Sequence, residues 1–166
     1  EFRRVLFRSD PARMVRDFDT ISICLSKGLG APVGSLLVGD SATISEAHRW
    51  RKMFGGGMRQ AGMLAAAGLY ALENNIDRLA EDHSRARRLA EAVNAMDAYS
   101  VDLDSVQSNM VYVDCSEGGA KALVENLSSM GVDVLDLEAS TIRAVVHLHI
   151  TDEDIDRAIV AFEAAQ

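Results

Sequence analysis

Lys27 follows a short apolar run, Ile21-Ser22-Ile23-Cys24-Leu25, and stands in a glycine-bounded turn, Ser26-Lys27-Gly28-Leu29-Gly30-Ala31-Pro32-Val33-Gly34-Ser35. Two readings are open. The amine can lie against apolar surroundings, where desolvation lowers its pKa and frees the lone pair, as a Schiff-base lysine requires. The flanking glycines then let backbone approach a bulky planar group closely. Alternatively Lys27 is a solvated lysine of a hairpin turn, as most lysines are exposed. A second cationic stretch, Arg49-Trp50-Arg51-Lys52-Met53-Phe54-Gly55-Gly56-Gly57-Met58-Arg59, leads into a helix. Successive backbone amides at a helix start, with an arginine beside them, suit a phosphate group. A flexible interhelical loop with solvated charges is the alternative. A third feature is the run at residues 141–150, which alternates with the period of a strand. Ile142, Ala144, Val146, Leu148 and Ile150 share a core face; Arg143, Val145, His147 and His149 share the other. An arginine there can hold a carboxylate in a bidentate fork, or the face is simply solvated. His147 and His149 read as structural rather than catalytic.

The elements around these residues follow from periodicity and stop signals. Residues 11–17 suit a short helix, with Pro11 in its first turn and Asp10 as N-cap. The strands at residues 21–25 and 34–39 are joined by too short a connection for a parallel crossover, so they pair antiparallel. Asp40 and Ser41 open a helix through Glu46 and Trp50. The three glycines end it, and a new helix runs from about Met58 to Glu73. Gly62, Ala65, Ala66, Ala67 and Gly68 give that helix a small face suited to close packing, and Asn74-Asn75 break it. A longer amphipathic helix carries Ile76, Leu79, Ala86, Leu89, Ala90, Val93 and Met96 at spacings of three and four. Its Arg85-Ala86-Arg87-Arg88 cluster reads as a solvated face. Strands are predicted at residues 110–113, 132–137 and 141–150. Between the first two runs a helix from Gly119 to Met130, stopped by Gly131. A closing helix spans residues 152–165, with Thr151 as N-cap and acids in its first turn. The order β-α-β-β-α describes a small α+β domain, and the boundary falls near residue 80.

Composition narrows the function classes. The chain has 166 residues, 48% of them hydrophobic, which is enough for a sizeable core. Its net charge of −8 argues against a nucleic-acid partner. No apolar run is long enough to span a bilayer. Cys24 and Cys115 are isolated, without metal-ligand spacing, and a reducing cytoplasm fits them. The first nine residues, Glu1-Phe2-Arg3-Arg4-Val5-Leu6-Phe7-Arg8-Ser9, look like the translation of a sequencing-library adapter. On that expectation the natural chain begins near Asp10 and is cut from a longer protein.

The turn around Lys27, the stretch Arg49 to Met53 and the run Gly55-Gly56-Gly57-Met58-Arg59-Gln60-Ala61-Gly62 together resemble the low-specificity L-threonine aldolases. The likeness is dense over about residues 18–83 and continues more weakly to residues 141–148. The resemblance implies an α/β fold, the C-terminal part of a fold-type-I (aspartate-aminotransferase-like) pyridoxal-phosphate enzyme. Residues 10–79 would be the remainder of its large cofactor-binding domain and residues 80–166 its small α+β C-terminal domain. It implies pyridoxal 5'-phosphate as cofactor, carried by Lys27. Arg59 matches an arginine associated with the cofactor phosphate, reaching it from a neighbouring subunit. Lys52 matches a lysine near the same site, placed with Arg143 on the substrate side, and Arg143 matches the arginine that grips the substrate carboxylate. The implied reaction is retro-aldol cleavage of threonine or allo-threonine to glycine and an aldehyde, in a cytoplasmic dimer of dimers. A β-eliminating lyase or another fold-type-I enzyme is the alternative, and a non-catalytic oligomerisation or interaction fragment is a third. In the full-length family the first half carries a histidine stacked on the cofactor ring and an aspartate at the pyridinium nitrogen. The expectation is therefore that this polypeptide alone is inactive and unstable.

Overall fold

The computed structural model describes residues 11–166. The expectations for the adapter-like segment and for Asp10 as a helix cap lie outside them. The chain divides into two compact units, the first ending at Leu79 and the second running from Ala80 to Gln166.

The first unit opens with α1 (Pro11–Val15) and the hairpin β1 (Thr20–Cys24) and β2 (Ser35–Gly39). The strands pair antiparallel as expected, with Thr20 opposite Gly39 and Cys24 opposite Ser35. β2 buries none of its five residues although Leu36, Leu37 and Val38 are apolar. Helix α2 (Ser41–Met53) starts where the Asp40 side chain accepts the Thr43 N–H at 2.7 Å. It too buries no residue. Helix α3 (Gly62–Asn74) begins four residues later than the sequence indicates. The reason is local: Gln60, at φ 51°, turns left-handed and holds the chain out of helical geometry until Ala61. Of its small face only Gly68 is buried, joined lower on the helix by Ala71, while Gly62 faces open space and Ala65 and Ala66 are exposed. The core of this unit is small: Leu25, Leu29, Ala31 and Ala71, flanked by Leu72, Ile76 and Leu79.

The second unit holds nearly all of α4 (Leu79–Asn94), then β3 (Met110–Asp114), α5 (Ala120–Ser129), β4 (Leu135–Asp136), β5 (Thr141–Val145) and α6 (Asp152–Ala164). Its sheet has the order β3-β5-β4 and is antiparallel throughout. Val111, Val113, Ile142 and Ala144 face inward against Leu89, Val93, Leu127, Ile155 and Phe162. Helix α5 ends as expected at Gly131, whose φ of 81° lets its N–H reach Ser128 O and the Val132 N–H reach Leu127 O. Those bonds delay the next strand, and the Leu137 N–H turns back to Thr141 O, so β4 is two residues long rather than six. The last strand is also shorter than its alternation suggests. The strand ends after Val145: the Val146 N–H still donates to Asn109 O in the β3–β5 register, but the return bond comes from the Asn109 side chain, whose Nδ2 donates to Val146 O. His147 and His149 consequently stand in an exposed turn beyond β5, not on its outer face, with rings edge-to-face at 5.7 Å.

The Arg85 cluster is more than a solvated face. Arg85 donates to both Asp152 carboxylate oxygens, at 3.0 and 3.3 Å, and Arg88 pairs with Asp156, so the two arginines tie α4 to α6. Arg87 stays on its own side, bonded to Glu91 and to Leu103 O.

Candidate functional site

The Lys27 turn is anchored from beneath. Three backbone bonds close it: Leu25 N–H to Gly34 O, Ala31 N–H to Leu25 O and Gly30 N–H to Lys27 O. Gly30 and Gly34 supply the positive φ angles, 71° and 117°, that the path needs. Leu29 is fully buried against Leu25, Ala31 and Ala71. Its carbonyl accepts a bond from Asn75 Nδ2 at 2.7 Å inside the unit. The sequence showed Asn75 only as a helix breaker; its position one residue beyond α3 is what lets it reach the turn. Gly28 serves the same packing, since a Cβ there would stand 3.0 Å from Leu79 Cδ2.

Lys27 itself is exposed. The expectation of an amine desolvated by the preceding apolar strand does not hold within this chain. Leu25 and Leu29 take the inward positions of the turn and leave Lys27 on the outward side. What the fold provides is a free amine on an immobilised backbone.

The glycine-rich stretch is built differently from the sequence reading. The Gly55 N–H donates to Lys52 O at 3.2 Å and the Gly56 N–H to Arg51 O at 2.8 Å, with Gly55 left-handed at φ 88°. This is the paired closure that ends a helix at its C-terminus. The Gly57 N–H goes to Gly55 O. All three glycine amides are therefore engaged with α2 or with the turn itself, at the carbonyl end of a helix, and they are not a phosphate cradle. The side chains remain. Lys52 lies in the last turn of α2 and runs over Gly57. Arg59 is exposed just ahead of α3, whose first turn has no side-chain cap. Among the described residues no ion pair engages Arg51, Lys52 or Arg59.

Arg143 occupies the middle of β5, opposite Tyr112 of β3 and Leu135 of β4. It is half-buried, and its Nε is buried without a hydrogen-bond partner among the described residues. A guanidinium donor withheld from water and from protein is costly, and an acceptor of its own would relieve that cost. A carboxylate in the fork geometry of arginine is the group that fits. Lys27, Lys52 and Arg59 thus belong to the first unit, on two separate turns, and Arg143 to the second. No group of His, Cys, Asp or Glu among the described residues could hold a metal ion, and none of their helices is long and apolar enough to cross a membrane.

The chain is 44% identical over 154 residues to a protein named probable low-specificity L-threonine aldolase 2 of Arabidopsis thaliana, covering 91% of this chain and 43% of that protein. It is 48% identical over 137 residues to the low specificity L-threonine aldolase of Escherichia coli K12, covering 82% and 40%. The chain therefore spans less than half the length of the curated relatives it matches. In three dimensions it superposes with a TM-score of 0.78 on a Listeria monocytogenes protein provisionally named an L-allo-threonine aldolase, at 19% identity, covering 98% of this chain and 49% of that one. The fold is that of the fold-type-I enzymes, mixed α/β. Residues 5–116 match the family model described as β-eliminating lyase. With more than half of its length matched, the chain belongs to the β-eliminating lyase family, alongside the low-specificity L-threonine aldolases that it resembles.

Proposed function

We propose that the whole protein is a pyridoxal-phosphate-dependent aldehyde-lyase that cleaves threonine, allo-threonine and related β-hydroxy-α-amino acids to glycine and an aldehyde. The observation that carries this reading is the Lys27 turn, a free amine on a backbone fixed by Leu29 and Asn75, in a chain 44% identical to a relative named for that activity. Lys27 is the attachment point for the cofactor aldehyde. Arg59, beside the uncapped start of α3, suits its phosphate, because a helix N-terminus and a guanidinium both favour an anion. Arg143 suits the substrate carboxylate through its unpartnered Nε, and Lys52 is the second residue assigned to the substrate. When bound, pyridoxal phosphate supplies the electron sink that accepts the Cα–Cβ bonding pair. Arg143 fixes the carboxylate, and with it the direction in which the Cα–Cβ bond points. The β-hydroxyl proton leaves as that bond breaks, the hydroxyl carbon departs as the aldehyde, and Cα takes a proton to give glycine.

The proposal extends to assembly, domain identity and location. Residues 10–79 are the remainder of a large cofactor-binding domain and residues 80–166 a small C-terminal domain. A homo-oligomer, a dimer of dimers, is supported by the apolar surface of the first unit, where Trp50 and Phe54 stack at 5.9 Å beside exposed Met53 and Met58. A cytoplasmic role in glycine formation and threonine breakdown agrees with two free cysteines.

The test is product analysis with the whole protein, pyridoxal phosphate and L-threonine. Glycine and acetaldehyde in equal amounts support the proposal. Pyruvate and ammonia from serine, with no glycine from threonine, would instead establish β-elimination, the reading that the family name favours. The 166-residue chain by itself is expected to release neither.

A further inference from the structure

Gly55, Gly56 and Gly57 are glycines for three different physical reasons. Gly55 needs its φ of 88°, and an added Cβ would meet nothing within 4 Å. At Gly56 a Cβ would stand 2.7 Å from Arg51 Cγ and 3.0 Å from Arg51 O, so the root of a side chain and the backbone crowd it together. Gly57 has neither constraint. A Cβ there would stand 2.7 Å from Lys52 Nζ, 3.1 Å from its Cδ and 3.5 Å from its Cε. Only the flexible end of one side chain occupies the space that glycine leaves, and that end is the ammonium.

We propose that Gly57 is a positioning residue: its missing side chain lets Lys52 fold back over the turn and sets the ammonium where it meets an anionic group of substrate or cofactor. Two consecutive cations, Arg51 and Lys52, lie over two consecutive glycines, and no carboxylate among the described residues neutralises them. In a chain of net charge −8, such a cluster without counter-charge is an electrostatic preparation for an anion. The carbonyl end of α2 also favours a cation, which explains a lysine in its last turn but not the room made for its amine at Gly57. The inference rests on the reading of Lys52 as a substrate-side residue.

A double-mutant cycle on the whole protein separates the two. Lys52→Ala is expected to raise KM for L-threonine about tenfold or more, the loss of one charge-assisted contact. Gly57→Ala is expected to raise KM by a similar factor with the thermal midpoint nearly unchanged, because the displaced atoms can move away. In the Lys52→Ala background, Gly57→Ala should add nothing. Gly56→Ala is the control, expected to lower the thermal midpoint because it meets backbone. Additive effects of Gly57→Ala and Lys52→Ala would overturn the positioning role while leaving Lys52 in the site. An unchanged KM in Lys52→Ala would overturn the reading of Lys52 on which the proposal stands. Should Gly57→Ala not fold, the unsubstituted protein decides: a nuclear Overhauser contact between Lys52 Hε and Gly57 Hα supports the proposal, and its absence overturns it.

Discussion

At the scale of single residues, the proposed site draws on side chains left without partners. Arg143 is the sharpest case, since its Nε is buried and unbonded while its neighbours across the sheet, Tyr112 and Leu135, offer no carboxylate. A planar fork and a point charge differ most at such a position. Arg143→Lys keeps the charge but loses the second parallel bond, so KM for the amino acid should rise by roughly ten- to a hundredfold, the value of a hydrogen bond to a charged group at about 1.5–3 kcal/mol. Steady-state kinetics with the whole protein check this. An unchanged KM would remove Arg143 from the substrate site. Lys27 presents the contrasting case, an amine that its own chain exposes rather than desolvates.

At the scale of elements, the Lys27 turn, closed by three backbone bonds of its own, is tied to the end of α3 by one buried side-chain bond. Removing Asn75 Nδ2 strands the Leu29 carbonyl away from water, which costs about 1–3 kcal/mol. Asn75→Ala should therefore loosen residues 25–34 and weaken pyridoxal-phosphate retention without touching Lys27, measurable as faster amide exchange of that turn and a raised Kd for the cofactor. A second element-scale prediction concerns the α4–α6 clasp. Asp152 is held below the ordinary carboxylate range chiefly by the hydrogen bond from Arg85, and Asp154 by the Thr151 backbone N–H within the capping box. A depressed folded-state pKa contributes stability that is present above the unfolded value near 3.9 and lost as pH falls through the folded one. Urea midpoints of the parent and Arg85→Gln should thus differ at pH 6 and converge below about pH 4, by a small amount, since Asp152 is largely exposed. What the sequence disclosed at this scale follows locality. The β1–β2 hairpin, the stop at Gly131 and the Thr151 cap depend on residues a few positions apart, and all three stand. The differences have two physical origins: far along the chain, the Asn109 side chain stands in for a backbone donor opposite Val146 and ends β5, and close by, the carbonyls of Arg51 and Lys52 claim the amides that a phosphate would need. The start of α3 was misplaced because nothing in the residue type marks Gln60 as left-handed.

At the scale of the whole molecule, the two units have unequal cores. Among the described residues, nineteen buried apolar residues hold the second unit and four hold the first. The first also exposes Leu36, Leu37 and Val38 on β2, Trp50 and Met53 on α2 and Phe54 just beyond it, and its hairpin is a two-stranded sheet with no third strand among the described residues. A lone hairpin is marginal in water, and exposed apolar edges invite association. Opening free energies should then differ along this chain, from near zero where little is buried to the global value where a core is complete. In hydrogen exchange of the 166-residue chain, the amides of Val111, Val113, Ile142, Ala144 and those of α6 should exchange last. Those of β2 and α2 should exchange first, by several orders of magnitude. Heating should give two transitions, the earlier one raising the binding of an apolar dye, and calorimetry should return a van't Hoff enthalpy below the measured one. Protection spread evenly over both units, with a single two-state transition, would show that the four-residue core and the Asn75 bond suffice to hold the Lys27 turn unaided. The amine of Lys27 would then be presented by this chain alone, without further surface to cover the hairpin and α2.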